Sequence, residues 1–203
     1  TGLSKGDSDG IASGVEFEDG TTLTAGSVLL SMGPWTGVAA EWIGSPLPIT
    51  PQRGQMVYLA PATEADGPEL NVGLSAAEVP GSIIKKRLTD TAVGATKEAV
   101  GFDRSTTTEA RDLLLSQAAA LSDRVATAGI SGQTACLRPI TPDGKPYVGA
   151  APNWNNVFVA AGHASEGIHY SAVTAVAMAG LIVKGESPVD ISALSLERAA
   201  DSE

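Results

Sequence analysis

Cysteine is almost absent from these 203 residues: Cys136 stands alone, so no internal disulfide can form and nothing calls for an oxidising compartment. The expectation is a cytoplasmic protein with a small, inert, half-buried thiol. Basic residues are scarce as well. The 13 Lys and Arg face 23 Asp and Glu, a formal charge of −10, and the one basic cluster, Lys85-Lys86-Arg87, is too short to neutralise a run of phosphates. That balance excludes a nucleic-acid module and opposes an anionic membrane surface. Long apolar runs are lacking too: the longest, Ala172 to Val183, contains Thr174 and Gly180 and falls short of the roughly 20 residues a bilayer needs. It reads as a buried helix. Thr1 to Gly14 is rich in Gly, Ser and Asp and has no apolar centre, so no secretory leader is expected. The first residue is not Met, and the expectation is a piece of a longer polypeptide.

What is present suffices for a core, since 43% of the residues are hydrophobic and only 18% charged. From Gly14 to Ala25 apolar and polar residues alternate around Asp19-Gly20, which predicts a β-hairpin. Ser27 to Met32 and Asn156 to Ala161 are short continuous apolar runs, as in strands covered on both faces. The first stops at Gly33-Pro34 and leads into a short helix over Trp35 to Ile43. Gly44 to Pro51 is a punctuated loop that marks a domain crossing. Strands are expected at Gln55 to Ala60, at Ile83-Ile84, at Thr91 to Thr96 and at Thr134 to Arg138, with an acidic loop from Pro61 to Pro68. Ser105 to Glu109 offers N-caps for a helix over Arg111 to Val125. Thr141 to Gly144 reads as a β-turn. Gly162 to Gly167 is a glycine-bounded loop ahead of a helix from Ile168 to Lys184, with Gly185 as its C-cap. The acidic tail after Asp190 is expected to fray. Two buried strands that each end at glycine suit a ligand at the carboxyl edge of a sheet, but they name no reaction.

Four segments, in order, resemble the D-amino-acid-oxidase superfamily of FAD-dependent oxidoreductases, most closely its glycine-oxidase branch. They are Ser31-Met-Gly-Pro-Trp35, Val93-Gly-Ala-Thr-Lys-Glu-Ala-Val-Gly-Phe-Asp103, Leu137-Arg-Pro-Ile-Thr-Pro-Asp-Gly-Lys-Pro-Tyr-Val-Gly149 and Ala160-Ala-Gly-His-Ala-Ser-Glu-Gly-Ile168. The likeness runs from about Val15 to Lys184. It implies a fold of α/β and α+β class, in which a partial FAD-binding domain (1–50 and 136–203) carries an inserted substrate domain (51–135) of mixed or antiparallel β-sheet. The family opens with a Rossmann unit whose G-x-G-x-x-G brings backbone amides to the pyrophosphate. No G-x-G-x-x-G occurs here, so this unit is expected to be missing and supplied by an N-terminal FAD-binding half elsewhere.

The resemblance also implies roles. Arg138 holds the substrate carboxylate, the alternative being a surface ion pair. Gly162, His163, Ala164, Ser165, Glu166, Gly167 and Ile168 form a helix tip whose amides support negative charge on the flavin, the alternative being a plain helix start. Gly33 and Trp35 pass the phosphate side of the cofactor, unless Trp35 only packs an interface. Arg53 lies near the flavin and the domain junction, with a structural role as the other reading. Cys136 stands where the sarcosine-oxidase branch attaches its flavin covalently, against the reading of an unreactive thiol. The branch usually has an arginine at the position of Ser165, an aromatic at Ala164 and a carboxylate-holding tyrosine at Ser82, which turns the expectation away from glycine as substrate. The implied reaction moves hydride from the α-carbon of an amine or amino acid to flavin, with oxygen as acceptor; the alternative is a non-catalytic fragment unable to hold FAD. No metal is expected, because His163, Glu166 and His169 match no zinc spacing. The segment Gly162 to Gly167 has one residue too many for a hydrolase nucleophile elbow.

Overall fold

The computed structural model describes residues 2–60, 74–76, 79–85 and 91–202. Two compact units divide the chain: Thr1–Pro51 with Arg138–Glu203, and Gln52–Leu137. The predicted acidic loop from Pro61 to Pro68 lies outside the described residues.

In the first unit, β1 (Gly2–Lys5), β2 (Ala12–Glu16) and β3 (Thr22–Thr24) form an antiparallel meander. The hairpin stands where Asp19-Gly20 places it. Gly20 takes φ +80, the Asp19 carboxylate accepts from the Thr21 amide at 2.9 Å, and the Phe17 amide reaches the Thr21 carbonyl. β1 is not foreseen from its Gly and Ser composition; its ladder with β2 overrides that propensity. The second sheet runs in the order β10 (Tyr147–Ala150), β11 (Val157–Ala161), β4 (Val28–Leu30), with β11 parallel to β4 and antiparallel to β10.

β11 is the centre of this unit, and all five of its residues are buried. Val157, Val159 and Ala161 join Val28, Leu30 and Tyr147 in one cluster, while Phe158 and Ala160 meet Met178 in another. That is the two-residue alternation of a strand covered on both faces, and each large side chain contributes about 1.5–3 kcal/mol. β4 differs from its expectation: Val28 and Leu30 are buried but Leu29 is 41% exposed. Val28 and Leu30 pack into the core, whereas Leu29 borders a hollow that Ser31, Ala160 and Met178 also line, so only one face of the strand is packed.

Gly33–Ala39 forms a 3-10 helix that runs into the single turn α1 (Ala40–Ile43). The long helix α3 (Gly167–Lys184) ends as predicted, with Gly185 left-handed at φ +79 and its amide on the Leu181 carbonyl. Gly180 is required by packing, because a Cβ there would lie 2.5 Å from Pro188 Cδ. The expectation of a buried helix is corrected. Only Ala177 and Met178 are buried, whereas Ile168, Val176 and Val183 are exposed at 90%, 53% and 79%. The helix is apolar around its circumference, and one side has no cover among the described residues. By length and composition this helix also reaches what a bilayer crossing needs, a test that core helices pass equally, so the reading that no apolar stretch is long enough is corrected too. The expectation of a frayed tail is corrected as far as Ala199: 3-10 turns at Ser192–Leu194 and Leu196–Ser202 follow Asp190, and Leu196 and Ala199 are buried in the core.

The second unit is a five-stranded sheet in the order β6 (Leu74–Ala76), β7 (Val79–Lys85), β8 (Thr91–Gly94), β5 (Thr50–Leu59), β9 (Ile130–Ile140). The helix α2 (Thr108–Ala119) packs Leu114 and Ala118 on Val57, Leu59, Ile83 and Val93. Thr107 caps it, accepting the Ala110 amide at 3.2 Å. It stops at Ala119 rather than Val125. The Leu121 and Ser122 amides both turn back to the Ala118 carbonyl, and a 3-10 turn at Asp123–Ala126 then delivers Val125 to the same core.

One side chain stitches the first unit together. Asn156 accepts the Ala12 amide at 2.8 Å and donates to the carbonyls of Ala12 and Gly26 at 2.8 and 2.9 Å, joining β2 and the approach to β4 to the start of β11. Asn156→Ala leaves backbone groups unpaired in a half-buried place, and urea unfolding is expected to show a loss of about 2 kcal/mol. An unchanged midpoint would mean that water replaces all three bonds.

Candidate active site

The chain leaves β11 at Ala161 and reverses sharply at Gly162. Gly162 is buried with φ +87, and a Cβ on it would sit 2.6 Å from the Thr141 methyl and 3.5 Å from Pro146 Cα. Only glycine lets the loop lie flat on the turn that follows β9. Ala164 then takes φ +50, and its amide donates to the Pro139 carbonyl at 3.0 Å. The predicted turn is present, its Gly144 amide meeting the Thr141 carbonyl. Thus the loop 162–167 rests on residues 139–147, and Pro139, which receives it, directly follows Arg138. Arg138 itself is half-buried on β9.

His163 points back into its own unit. Its Nε2 lies 3.0 Å from Thr174 Oγ1, and burial lowers its pKa, so the ring is neutral at physiological pH. A hollow of about 300 Å³ lies beside it, lined among others by Leu29, Ser31, Ala160, Thr174 and Met178. Glu166 occupies the N-cap position of α3 without capping it. Its carboxylate takes His169 at 2.8 Å and Ser165 at 2.9 Å instead, and these bonds, that to His169 foremost, hold its pKa below the ordinary value. The amides of Gly167, Ile168 and His169 therefore have neither a helical carbonyl nor a side-chain cap. An 18-residue helix thus presents uncapped donors at a glycine-lined bend, which fits an anionic edge of a bound group.

Gly33 has φ +57 with open space around its Cα, and Trp35 is 45% exposed; both lie after β4 in the same unit as the loop. Arg53 and Cys136 belong to the other unit. Cys136 is exposed, so the expectation of a half-buried thiol is corrected: β9 presents alternate residues outward there. Arg53 is 5% exposed and committed to internal partners. Its guanidinium donates twice to Glu98, at 2.6 and 3.2 Å, and also to Asp103 and to both oxygens of Ser105. Gln55 joins by donating to Glu98 and accepting the Thr107 amide, while Gln133 ties in from β9. These contacts fix the Arg53 side chain within its own unit. Glu98, Asp103 and Thr96 all come from the segment Val93 to Asp103, whose two acidic residues are the carboxylate partners of this arginine. Sequence reasoning missed that network; the signal was an acidic pair in a segment otherwise rich in small residues.

A model of the DAO family, described as FAD dependent oxidoreductase, matches residues 1–181. The chain belongs to this family. Glycine oxidase of Pseudomonas putida is 29% identical over 181 residues, 89% of this chain and 48% of that protein. D-amino acid dehydrogenase of Bradyrhizobium diazoefficiens is 31% identical over 205 residues, 98% of this chain and 47% of that protein. The crystal structure of glycine oxidase from Geobacillus kaustophilus superposes with a TM-score of 0.80 at 30% identity, over 87% of this chain and 46% of that one. The chain spans about half the length of the curated relatives it matches. Family membership covers both units, and the mixed α/β build with several sheets is that of its structural neighbours.

The Arg53 network has a pH signature. Burial works against the Glu98 carboxylate, but hydrogen bonds from Arg53, Thr96 and Gln55 outweigh it; Ser105 first, then Arg53, hold Asp103 low. Both carboxyls sit below their ordinary values in the fold. Their stabilisation is complete above the ordinary carboxylate range and is lost as pH falls through the depressed folded values. Thermal unfolding is expected to shift to lower temperature between about pH 5 and pH 3. Glu98→Gln should lower the midpoint at neutral pH and flatten that acid limb. An acid limb of unchanged slope in Glu98→Gln would show that other groups produce it.

Proposed function

We propose that this chain supplies the flavin-facing and carboxylate-binding part of an FAD-dependent oxidoreductase acting on the C–N bond of an amino acid or secondary amine. The observation that carries the reading is the uncapped tip of α3, seated on the turn beside Arg138, in a chain of this family. The unit formed by Thr1–Pro51 and Arg138–Glu203 is assigned to FAD and Gln52–Leu137 to substrate. Gly162 to Ile168 hold the isoalloxazine end through backbone amides, and Gly33 with Trp35 line the phosphate side. Arg138 offers a planar fork of donors to the substrate carboxylate and thereby orients the α-carbon. The orphan amides of α3 stabilise negative charge that develops opposite them, with no reorganisation at the moment of reaction. When bound, FAD would accept hydride from the substrate's α-carbon and pass the electrons to oxygen, the imine product hydrolysing in water. The likeness to glycine oxidases supports oxygen as the acceptor.

The group that grips the ADP end is assigned to polypeptide outside these 203 residues. Three facts support this: no G-x-G-x-x-G occurs, β4 has a free edge, and α3 has an uncovered apolar side among the described residues. Full-length relatives are about twice as long. The test joins this chain to the polypeptide carrying a glycine-rich strand–helix turn and measures flavin absorbance and amine-dependent oxygen uptake. A yellow protein is expected in which Arg138→Met raises KM for an amino acid about a hundredfold but acts far less on an amine without a carboxylate. A colourless product that gains no spectrum with added FAD would favour the non-catalytic alternative. An unchanged KM in Arg138→Met would remove the arginine from the carboxylate role.

A further inference from the structure

The turn that supports the 162–167 loop is itself held from behind. Arg198, in the last 3-10 segment, has its guanidinium 3.9 Å above the ring of Tyr147. Its Nε donates to Asp143 at 2.9 Å, Nη2 to the carbonyls of Lys145 and Pro146 at 2.6 and 2.9 Å, and Nη1 to the Ser195 carbonyl at 2.8 Å. A single side chain therefore closes three carbonyls and a carboxylate, and its own side chain is only 18% exposed. The buried residues Leu196 and Ala199 anchor the segment on both sides of it.

Two partners of Arg198, Pro146 and Tyr147, also lie against Gly162, and a third, Lys145, reaches it through Thr141. Thr141 Oγ1 donates to the Lys145 carbonyl at 2.9 Å, so the same oxygen joins Arg198 to the residue whose methyl faces Gly162. Pro146 Cα and the Tyr147 amide are the next atoms a Cβ at Gly162 would meet. Tyr147 is fully buried and pairs with Ala161, the residue before the bend. From the guanidinium to the loop there is no gap in the chain of contacts.

We infer that Arg198 is a positioning residue: it clamps the turn 141–147 and through it fixes the bend at Gly162 and Ala164, and so the aim of the α3 amides. Its effect on cofactor binding rests on the reading of that loop given above; the clamp itself does not. Burial alone would raise the Asp143 carboxyl, but the Arg198 hydrogen bond first, then the Lys145 amide and the guanidinium charge, keep it below its ordinary value. A lysine cannot replace this geometry, because one ammonium cannot reach Asp143 and both carbonyls while stacking flat on a ring.

Amide hydrogen exchange, read by mass spectrometry on the wild-type chain, Arg198→Met, Arg198→Lys and Asp143→Asn, tests the clamp. Arg198→Met is expected to speed exchange about tenfold in peptides covering 141–147 and 162–166, with 175–183 unchanged. Arg198→Lys should give no rescue, and Asp143→Asn, which removes one arm only, should give a smaller change in the same places. If 162–166 keeps wild-type protection while 195–202 is released, the inference is overturned. If Arg198→Met does not fold, Asp143→Asn decides by the same criterion. FAD titration followed by flavin fluorescence separates the two readings. Weaker FAD binding in Arg198→Met extends the clamp to the cofactor, whereas a wild-type protein that binds no FAD, even when joined to its ADP-binding polypeptide, sinks the functional reading and leaves the exchange result standing.

Discussion

A glycine pressed against a threonine methyl is the contact from which the rest of the candidate site follows. β11 is buried on both faces, and directly after it the chain turns through Gly162 and Ala164 to begin α3. Gly162 makes that reversal with a left-handed backbone and no side chain to separate loop from turn. The consequences are local and physical. The Ala164 amide finds the Pro139 carbonyl, and α3 starts without a side-chain cap.

Much of this was legible in the amino-acid order. Asp19-Gly20 announced its hairpin, Thr141 to Gly144 its turn, Gly185 its cap, and Asn156 to Ala161 its buried strand, because each depends on chemistry within a few residues. The errors have one physical cause in common. Whether a strand or helix is covered on one side or both depends on what packs there, and periodicity does not report it. Apolar neighbours predict burial for Leu29 and for the outer side of α3, and the habits of free cysteine predict a half-buried Cys136, yet all three are exposed. Nothing in Ala120 to Val125 forbids helix, so the residues alone predict a longer α2; the turn at Ala118 ends it.

Long-range polar pairing was the least legible. Arg53 lies 45 residues from Glu98 in sequence, and Asn156 lies 144 from Ala12. Neither separation leaves a periodic trace. Yet both explain why particular polar residues occupy half-buried positions: each satisfies several groups that would otherwise be desolvated without partners. In the second unit this accounts for the acidic residues of the segment Val93 to Asp103, Glu98 and Asp103, both of which bond Arg53. In the first it accounts for the cohesion of two small sheets that share no strand.

The central claim is that the 162–167 loop lies flat on the turn at Thr141. Proton NMR of the chain labelled at threonine methyl groups measures this contact directly. The account predicts a strong nuclear Overhauser effect between the Thr141 methyl and the α-protons of Gly162. A folded protein without that cross-peak would contradict it.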